Sequence, residues 1–433
     1  MSIWSQAEGL AAQTPDDRNR YVDFLRAVSI LAVITGHWLI AAAYWHDGTM
    51  SFSDVLVFQP GAQWMTWVFQ VMPIFFIVGG YANAVSLEGA HRRGVSYADW
   101  LSRRLVRLVS PLLALLLCWA LLAPILNFAG VSSEVIGLAS RAALIPTWFL
   151  AIYIMVVVLA PATYYVWKRW GFASFIAFAA IGVLVDIAFF VVDMRWLGWS
   201  NFFWVWLAVH HLGYAWRDGR LGSPAQLLSY SALAFVALLY LVSAGPYPLA
   251  MAGSPDEGLS NSSPPKITML LLGIIQFGLL LSMEQPMRRV LSGLRLWTAT
   301  VLINSMIMTV YLWHLTVMVI LVALAYLAGG FGFGLVPGSS EWWYSRPIWV
   351  AVLYVVLIPV ALLLAPLERR ARAVDSAAPA AARSVGGAML ICLGIALLAR
   401  FGIGNVPLPG LDVAALLMVV AGSALSGLLP GFK

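Results

Sequence analysis

The chain has 433 residues, of which 62% are hydrophobic and only 10% are charged. A soluble domain carries about 25% charged residues, so the composition excludes an ordinary soluble protein and points to one that crosses a bilayer many times. The net charge is +6, from 25 Lys and Arg against 19 Asp and Glu; with no cationic domain and no nucleic-acid motif beside it, the excess fits cytoplasmic loops rather than a nucleic-acid partner.

About twelve apolar stretches are long enough to cross a membrane as helices, and a polytopic all-α transmembrane bundle is the expected fold. They fall at 22–45, 62–87, 104–128, 144–166, 171–192, 200–216, 224–245, 267–284, 298–328, 347–366, 385–400 and 411–429. Residues 1–20 are polar, without the short apolar core and cleavage site of a signal peptide, and are read as a cytoplasmic tail. Aromatic residues gather at span ends, as at Trp64/Trp67, Trp167/Trp170, Trp196/Trp199 and Trp342/Trp343/Tyr344, where an interfacial belt belongs.

Placing the N-terminus inside tests this division. The inner segments then hold Arg18, Arg20, Arg92, Arg93, Arg103, Arg104, Arg107, Lys168, Arg169, Arg217, Arg220, Arg288, Arg289, Arg295, Arg369, Arg370, Arg372, Arg383 and Lys433. The outer segments hold Arg141, Arg195, Lys266, Arg346 and Arg400, and Arg26 lies within the first span. The bias of 19 to 5 supports the span count and predicts both termini cytoplasmic; the expected location is the plasma (inner) membrane, as a multi-pass protein. The outer loop 246–266 is rich in Pro, Gly and Ser and is expected to be irregular. Residues 369–384 are basic, then Ala/Pro-rich, and read as a cytoplasmic linker between a ten-helix core (21–368) and two further helices (385–433) nearly free of polar side chains.

Ionisable groups inside a membrane are costly and mark functional sites. The first span holds Asp23, Arg26 and His37. Eleven helical steps from Arg26 to His37 leave the two about 20° apart, with His37 about 16 Å further along. Asp23 precedes Arg26 by three residues and is placed to pair with it. Two readings stay open: a functional face with a cation at the cytoplasmic mouth and an imidazole deep in the membrane, or an interfacial ion pair beside a packing histidine. At the entry to the third span Arg103, Arg104 and Arg107 form a cationic cluster, able to grip phosphates or serving as an ordinary positive flank. His314, in Tyr311-Leu312-Trp313-His314, and the pair His210-His211 are read as packing residues, and Asp186 has no assignable partner. Cys118 and Cys392 lie in apolar stretches, and neither a disulfide nor a metal site is expected.

In combination these features resemble the acyltransferase-3 family. Its Arg-x10-His motif is matched by Arg26 and His37; Met72-Pro73-Ile74-Phe75-Phe76-Ile77-Val78-Gly79-Gly80 is similar to its phenylalanine pair and small-residue pair, with Gly79 where Ser is usual. Arg103-Arg104-x-x-Arg107, Pro146-Thr147-Trp148-Phe149-Leu150 and the block from Ser305 to His314 follow in family order, over about residues 20–368. The family's frequent extracytoplasmic esterase-like domain has no counterpart in this sequence. The resemblance implies an integral membrane acyltransferase, with an acyl-CoA (acetyl-CoA first) as cytoplasmic donor, no metal, and a hydroxyl of a glycan or lipid-linked glycan as acceptor. It implies His37 as base or acyl relay, Arg26 held by Asp23 as its companion, Arg103, Arg104 and Arg107 as donor contacts, and Trp148, Tyr311 and His314 as cavity lining. The competing reading is a transporter or flippase of a lipid-linked glycan, with Asp23, His37 and Asp186 relaying protons, against which no symmetry between halves is evident. Oligomeric state is not legible.

Overall fold

The computed structural model describes residues 3–15, 18–46, 48–253, 258–372, 379–404 and 413–429. The described residues are 78% helical, and the chain is an all-α membrane bundle. In chain order the elements are α1 (Ile3–Ala12), α2 (Arg20–Ile40), strands β1 (Ala41–His46) and β2 (Thr49–Asp54), α3 (Val55–Phe58), α4 (Thr66–Phe69), α5 (Met72–Arg92), α6 (Tyr97–Phe128), α7 (Ser133–Leu144), α8 (Thr147–Trp170) and α9 (Phe172–Phe190). There follow α10 (Asn201–Arg217), α11 (Pro224–Ala244), α12 (Ile267–Ser282), α13 (Glu284–Val290), α14 (Leu294–Ser305), α15 (Ile307–Leu327), α16 (Ser340–Arg372), α17 (Ala381–Phe401) and α18 (Val413–Leu425).

Among the described residues nine helices are long and apolar enough to cross a membrane, or ten if α12 and α13 form one span bent by 54°. Pro286 lies in the first turn of α13, where its missing N–H and its ring interrupt a continuous ladder. The expected sixth span is α10, of only 17 residues, and the expected twelfth is α18, of 13 residues. Residues 411–412 of that span, residues 373–378 of the expected linker, and Lys433 lie outside the described residues. The described part of the expected tail contains α1, which packs on α14 and is pinned where Trp297 Nε1 donates to Thr14 Oγ1 at 2.9 Å.

Two expected spans differ from observation. The first helix stops at Ile40, and 41–46 form a strand despite the helix-favouring alanines. Packing overrides propensity here: Trp45 N–H donates to Phe333 O at 2.6 Å, and the Trp45 ring occupies the space that a Cβ on Gly330 would need. The expected span 298–328 is two helices, α14 and α15, broken at Met306. Just before the break Asn304 Nδ2 donates to Thr300 O at 2.9 Å and Ser305 Oγ donates to Leu302 O at 2.7 Å, the side-chain competition that unsettles a helix end.

The chain folds as two compact units. The first comprises Met1–Ala42, Ser53–Ser86 and Ala160–Ser305. Its centre is α10, in which every residue from 205 to 216 is buried; α10 packs on α9 and α12. Phe76 of α5 stacks on Trp206 at 4.5 Å. The two backbones meet at Gly80 and Gly213, where an added Cβ would collide with the carbonyls of His210 and Ile77 respectively. The second unit comprises Ala43–Phe52, Leu87–Leu159 and Met306–Lys433. In it α15 packs on α6, α7 and α16, and Trp119 Nε1 donates to Thr316 Oγ1 at 3.2 Å. The helices α17 and α18 belong to this unit and meet at Gly387 and Gly422. Cys392 Sγ donates to Ala151 O at 3.2 Å, and Ser140 Oγ donates to Ile403 O at 2.7 Å.

Candidate active site

In the first unit, α2 presents the Arg-x10-His pattern. Asn19 caps the helix by accepting from Tyr21 N–H at 3.1 Å, and the helix runs unbroken from Arg20 to Ile40. The expected spacing of Asp23, Arg26 and His37 therefore holds on one rigid element. Asp23 is buried at 5% exposure and its carboxylate is shared. Arg26 Nη2 donates to Oδ1 at 3.0 Å, as expected, and Arg18 Nε donates to Oδ2 at 2.7 Å. This hydrogen bond raises Arg18 above the ordinary guanidinium range. Arg18 was not expected at the site; it lies beyond the helix cap, where helical spacing rules do not apply. Asn304 Nδ2 donates to the Asp23 carbonyl at 2.9 Å, tying the end of α14 to α2. One carboxylate is thus shared by two guanidinium groups at this end of α2, with the Glu284 carboxylate accepting from the Asn19 cap at 2.9 Å.

His37 is only half-buried, although its neighbours Ile34 and Trp38 are fully buried. His210, His211 and His314 are fully buried. The His210 Nε2 edge lies 3.1 Å from Asn83 Nδ2, and His211 Nδ1 lies 2.8 Å from Leu207 O. Both rings pack edge-on against Tyr214, at 4.8 and 5.2 Å. Their ring nitrogens meet different groups while both rings pack on Tyr214, in line with their reading as packing residues.

The remaining expected site residues lie in the second unit. The helix α6 begins at Tyr97, capped by Ser96, which accepts from Asp99 N–H, so Arg103, Arg104 and Arg107 stand on its second and third turns rather than in a loop. Arg103 is exposed, Arg104 and Arg107 are half-buried, and the Arg104 guanidinium lies 5.6 Å from the Trp100 ring centroid. Trp148 is half-buried. Tyr311 and His314 are buried at 3% and 0% exposure. The Tyr311 hydroxyl donates to Pro146 O at 2.8 Å, its ring meets Phe149 edge-on at 5.9 Å, and His314 Nδ1 lies 2.6 Å from Tyr311 O. A carbonyl only accepts, so Nδ1 of His314 carries the proton. The Trp-Phe-Leu and Tyr-Leu-x-His blocks thus meet to pin α15 to the start of α8.

Asp186 does have partners. Asn201 Nδ2, Tyr247 Oη and the Ile267 N–H donate to it at 2.9, 3.0 and 2.8 Å. It caps α12 and anchors the irregular loop beside it, a structural duty that removes the main reason to read it as a proton relay. Lys266, beside it, is 1% exposed, with Nζ 3.4 Å from the Phe189 ring centroid. Burial pushes its ammonium down to about 8, partly opposed by Asp186. The unfolded chain, with lysine at 10.5, then binds more protons between these values. Stability gained from this group therefore rises with pH from about 8 to about 10.5, and the full penalty applies below that window. The unfolding midpoint of the parent should climb across this window relative to that of Lys266→Met.

Among the described residues no three His, Cys, Asp or Glu side chains come together as metal ligands. The acyltransferase-domain profile of the acyltransferase-3 family matches residues 19–366, most of the chain. The chain belongs to the acyltransferase-3 family. Comparison with curated proteins and with solved structures gives no match. Family membership brings with it membrane acyltransferase activity, and the matched stretch holds both the α2 motif and the α6 arginines. The helices α17 and α18 lie beyond it.

Proposed function

We propose that the protein moves an acyl group, acetyl first among candidates, from a cytoplasmic coenzyme A thioester to a hydroxyl of a carbohydrate or other cell-envelope acceptor. The observation that carries this reading is the state of His37: of the four histidines within the apolar helices α2, α10 and α15, it alone keeps part of its surface open. A reacting imidazole must be reached by substrate, and a packing imidazole need not be. His37 takes the acceptor's hydroxyl proton as the oxygen attacks the thioester carbon; the carbon–sulfur bond breaks and the proton passes to the leaving thiolate. In the relay version the imidazole itself first carries the acyl group. Arg26, held by Asp23, supplies positive charge on the same helix, and Arg103, Arg104 and Arg107 grip the donor phosphates. The Lys/Arg bias supports an orientation with these arginines and both termini on the cytoplasmic side, and the membrane of this proposal is the plasma membrane. The oligomeric state plays no part in this reading.

The test uses the purified protein in nanodiscs with acetyl-labelled acetyl-CoA and an envelope extract. Label should pass from donor to extract. Arg104→Ala and Arg107→Ala should each weaken donor binding about 10- to 100-fold, the worth of one charge-assisted contact. Acid-quench trapping without acceptor separates the two versions of the step: label retained on the protein supports the relay, and none supports direct transfer. A folded parent that neither binds nor transfers from any acyl-CoA sinks the proposal and revives the transporter reading.

A further inference from the structure

A second cationic feature lies at the start of α16. Arg346 is 5% exposed, and Trp342, one turn before it, is 1% exposed. The guanidinium carbon sits 4.1 Å from the Trp342 ring centroid, so the side chain runs back towards the helix N-terminus. Its hydrogen bonding is thin. Nη2 reaches Ser345 Oγ only at 3.5 Å, Nε has no partner, and the indole N–H of Trp342 has none either. Among the described residues Arg346 forms no ion pair, and Glu341, in the first turn of α16, is exposed. Lys266, the other buried cation, has Asp186 as a nearby counter-charge; among the described residues Arg346 has no such neighbour.

A buried guanidinium cannot shed its charge as an amine can, and leaving it uncompensated is costly. Stacking on Trp342 attracts the charge but satisfies none of the N–H donors. The geometry points to an anion-binding site at Trp342 and Arg346, taking a carboxylate or phosphate group. Such a group would accept from both unpartnered N–H donors, neutralise the charge, and sit near the positive end of the α16 dipole. Two sources share this chemistry: an anionic phospholipid headgroup, or an acidic group on a soluble or glycan ligand. The site uses none of the residues assigned to donor or acceptor above.

The test measures thermal unfolding of the full-length protein, not activity, so its outcome is independent of theirs. In nanodiscs of zwitterionic lipid, inorganic phosphate and glucuronate are titrated separately against chloride at matched ionic strength; in a further arm phosphatidylglycerol replaces part of the lipid. The parent should gain about 3 °C at roughly 100 times the dissociation constant of at least one probe. Arg346→Met should show no gain beyond chloride, and Trp342→Phe, which keeps a ring but loses the N–H, a smaller one. A response to phosphate or glucuronate in zwitterionic discs identifies a soluble anion, and a response to phosphatidylglycerol alone identifies a headgroup. If Arg346→Met does not fold, Arg346→Lys, which keeps charge without the planar fork, should respond more weakly. A parent that responds to none of the probes, or a variant at Arg346 that responds as the parent does, overturns the site.

Discussion

Replacing His37 with alanine should lower acyl transfer by about 10²- to 10⁴-fold, the range lost with a positioned acid–base group, while donor binding stays within a few-fold of the parent. The bundle should survive, because His37 is half-buried and α2 is fastened elsewhere. Asn19 caps its start, Asn304 holds the Asp23 carbonyl, and Tyr21 Oη donates to Leu280 O at 2.7 Å. Initial rates with labelled donor, alongside the unfolding midpoint, check both halves. Transfer within tenfold of the parent by folded His37→Ala would remove the histidine from the chemistry.

The second large effect is on folding. Gly80→Ala places a methyl group against the His210 carbonyl, and nothing flexible can yield, since the obstacle is backbone. The expected cost is about 3 kcal/mol or more, at the severe end for overpacking. Gly213→Ala should behave alike, because its Cβ meets the Ile77 carbonyl and the Tyr81 nitrogen. Gly89 on the same α5 is the control. The three atoms nearest a Cβ there all belong to the flexible end of the Arg93 side chain, and Gly89→Ala should be neutral or stabilising by about 0.5–1 kcal/mol. Size-exclusion profiles and unfolding midpoints of the three variants decide the point. Equal behaviour of Gly80→Ala and Gly89→Ala would contradict the close approach of α5 and α10. The small-residue pair after Phe75-Phe76 thus has a packing reason: at Gly80 the backbone of α10 leaves no room for a side chain.

Much of this was legible along the chain. Long apolar runs with few charges can only be helices in a membrane, because hydrocarbon offers no partners to unpaired backbone groups; that determines the fold class and most spans. The Arg26 to His37 spacing is a property of one helix, and helical geometry carries it intact into the structure. The pairing of Asp23 with Arg26 follows from the same local rule.

What depends on distant residues needed the tertiary structure. The second guanidinium on Asp23 arrives from before the helix cap, and Asn304 arrives from the far end of the first unit. Asp186 looked partnerless because its partners Asn201, Tyr247 and Ile267 come from later in the chain, two of them at or after the loop 246–266. The strand at 41–46 and the break at Met306 could not be read from propensity, since Phe333 and Gly330 decide the first and side-chain competition at Asn304 and Ser305 the second. Which histidine keeps an open face is likewise a tertiary fact: residue type and spacing are local, whereas burial is decided by everything that packs around a side chain.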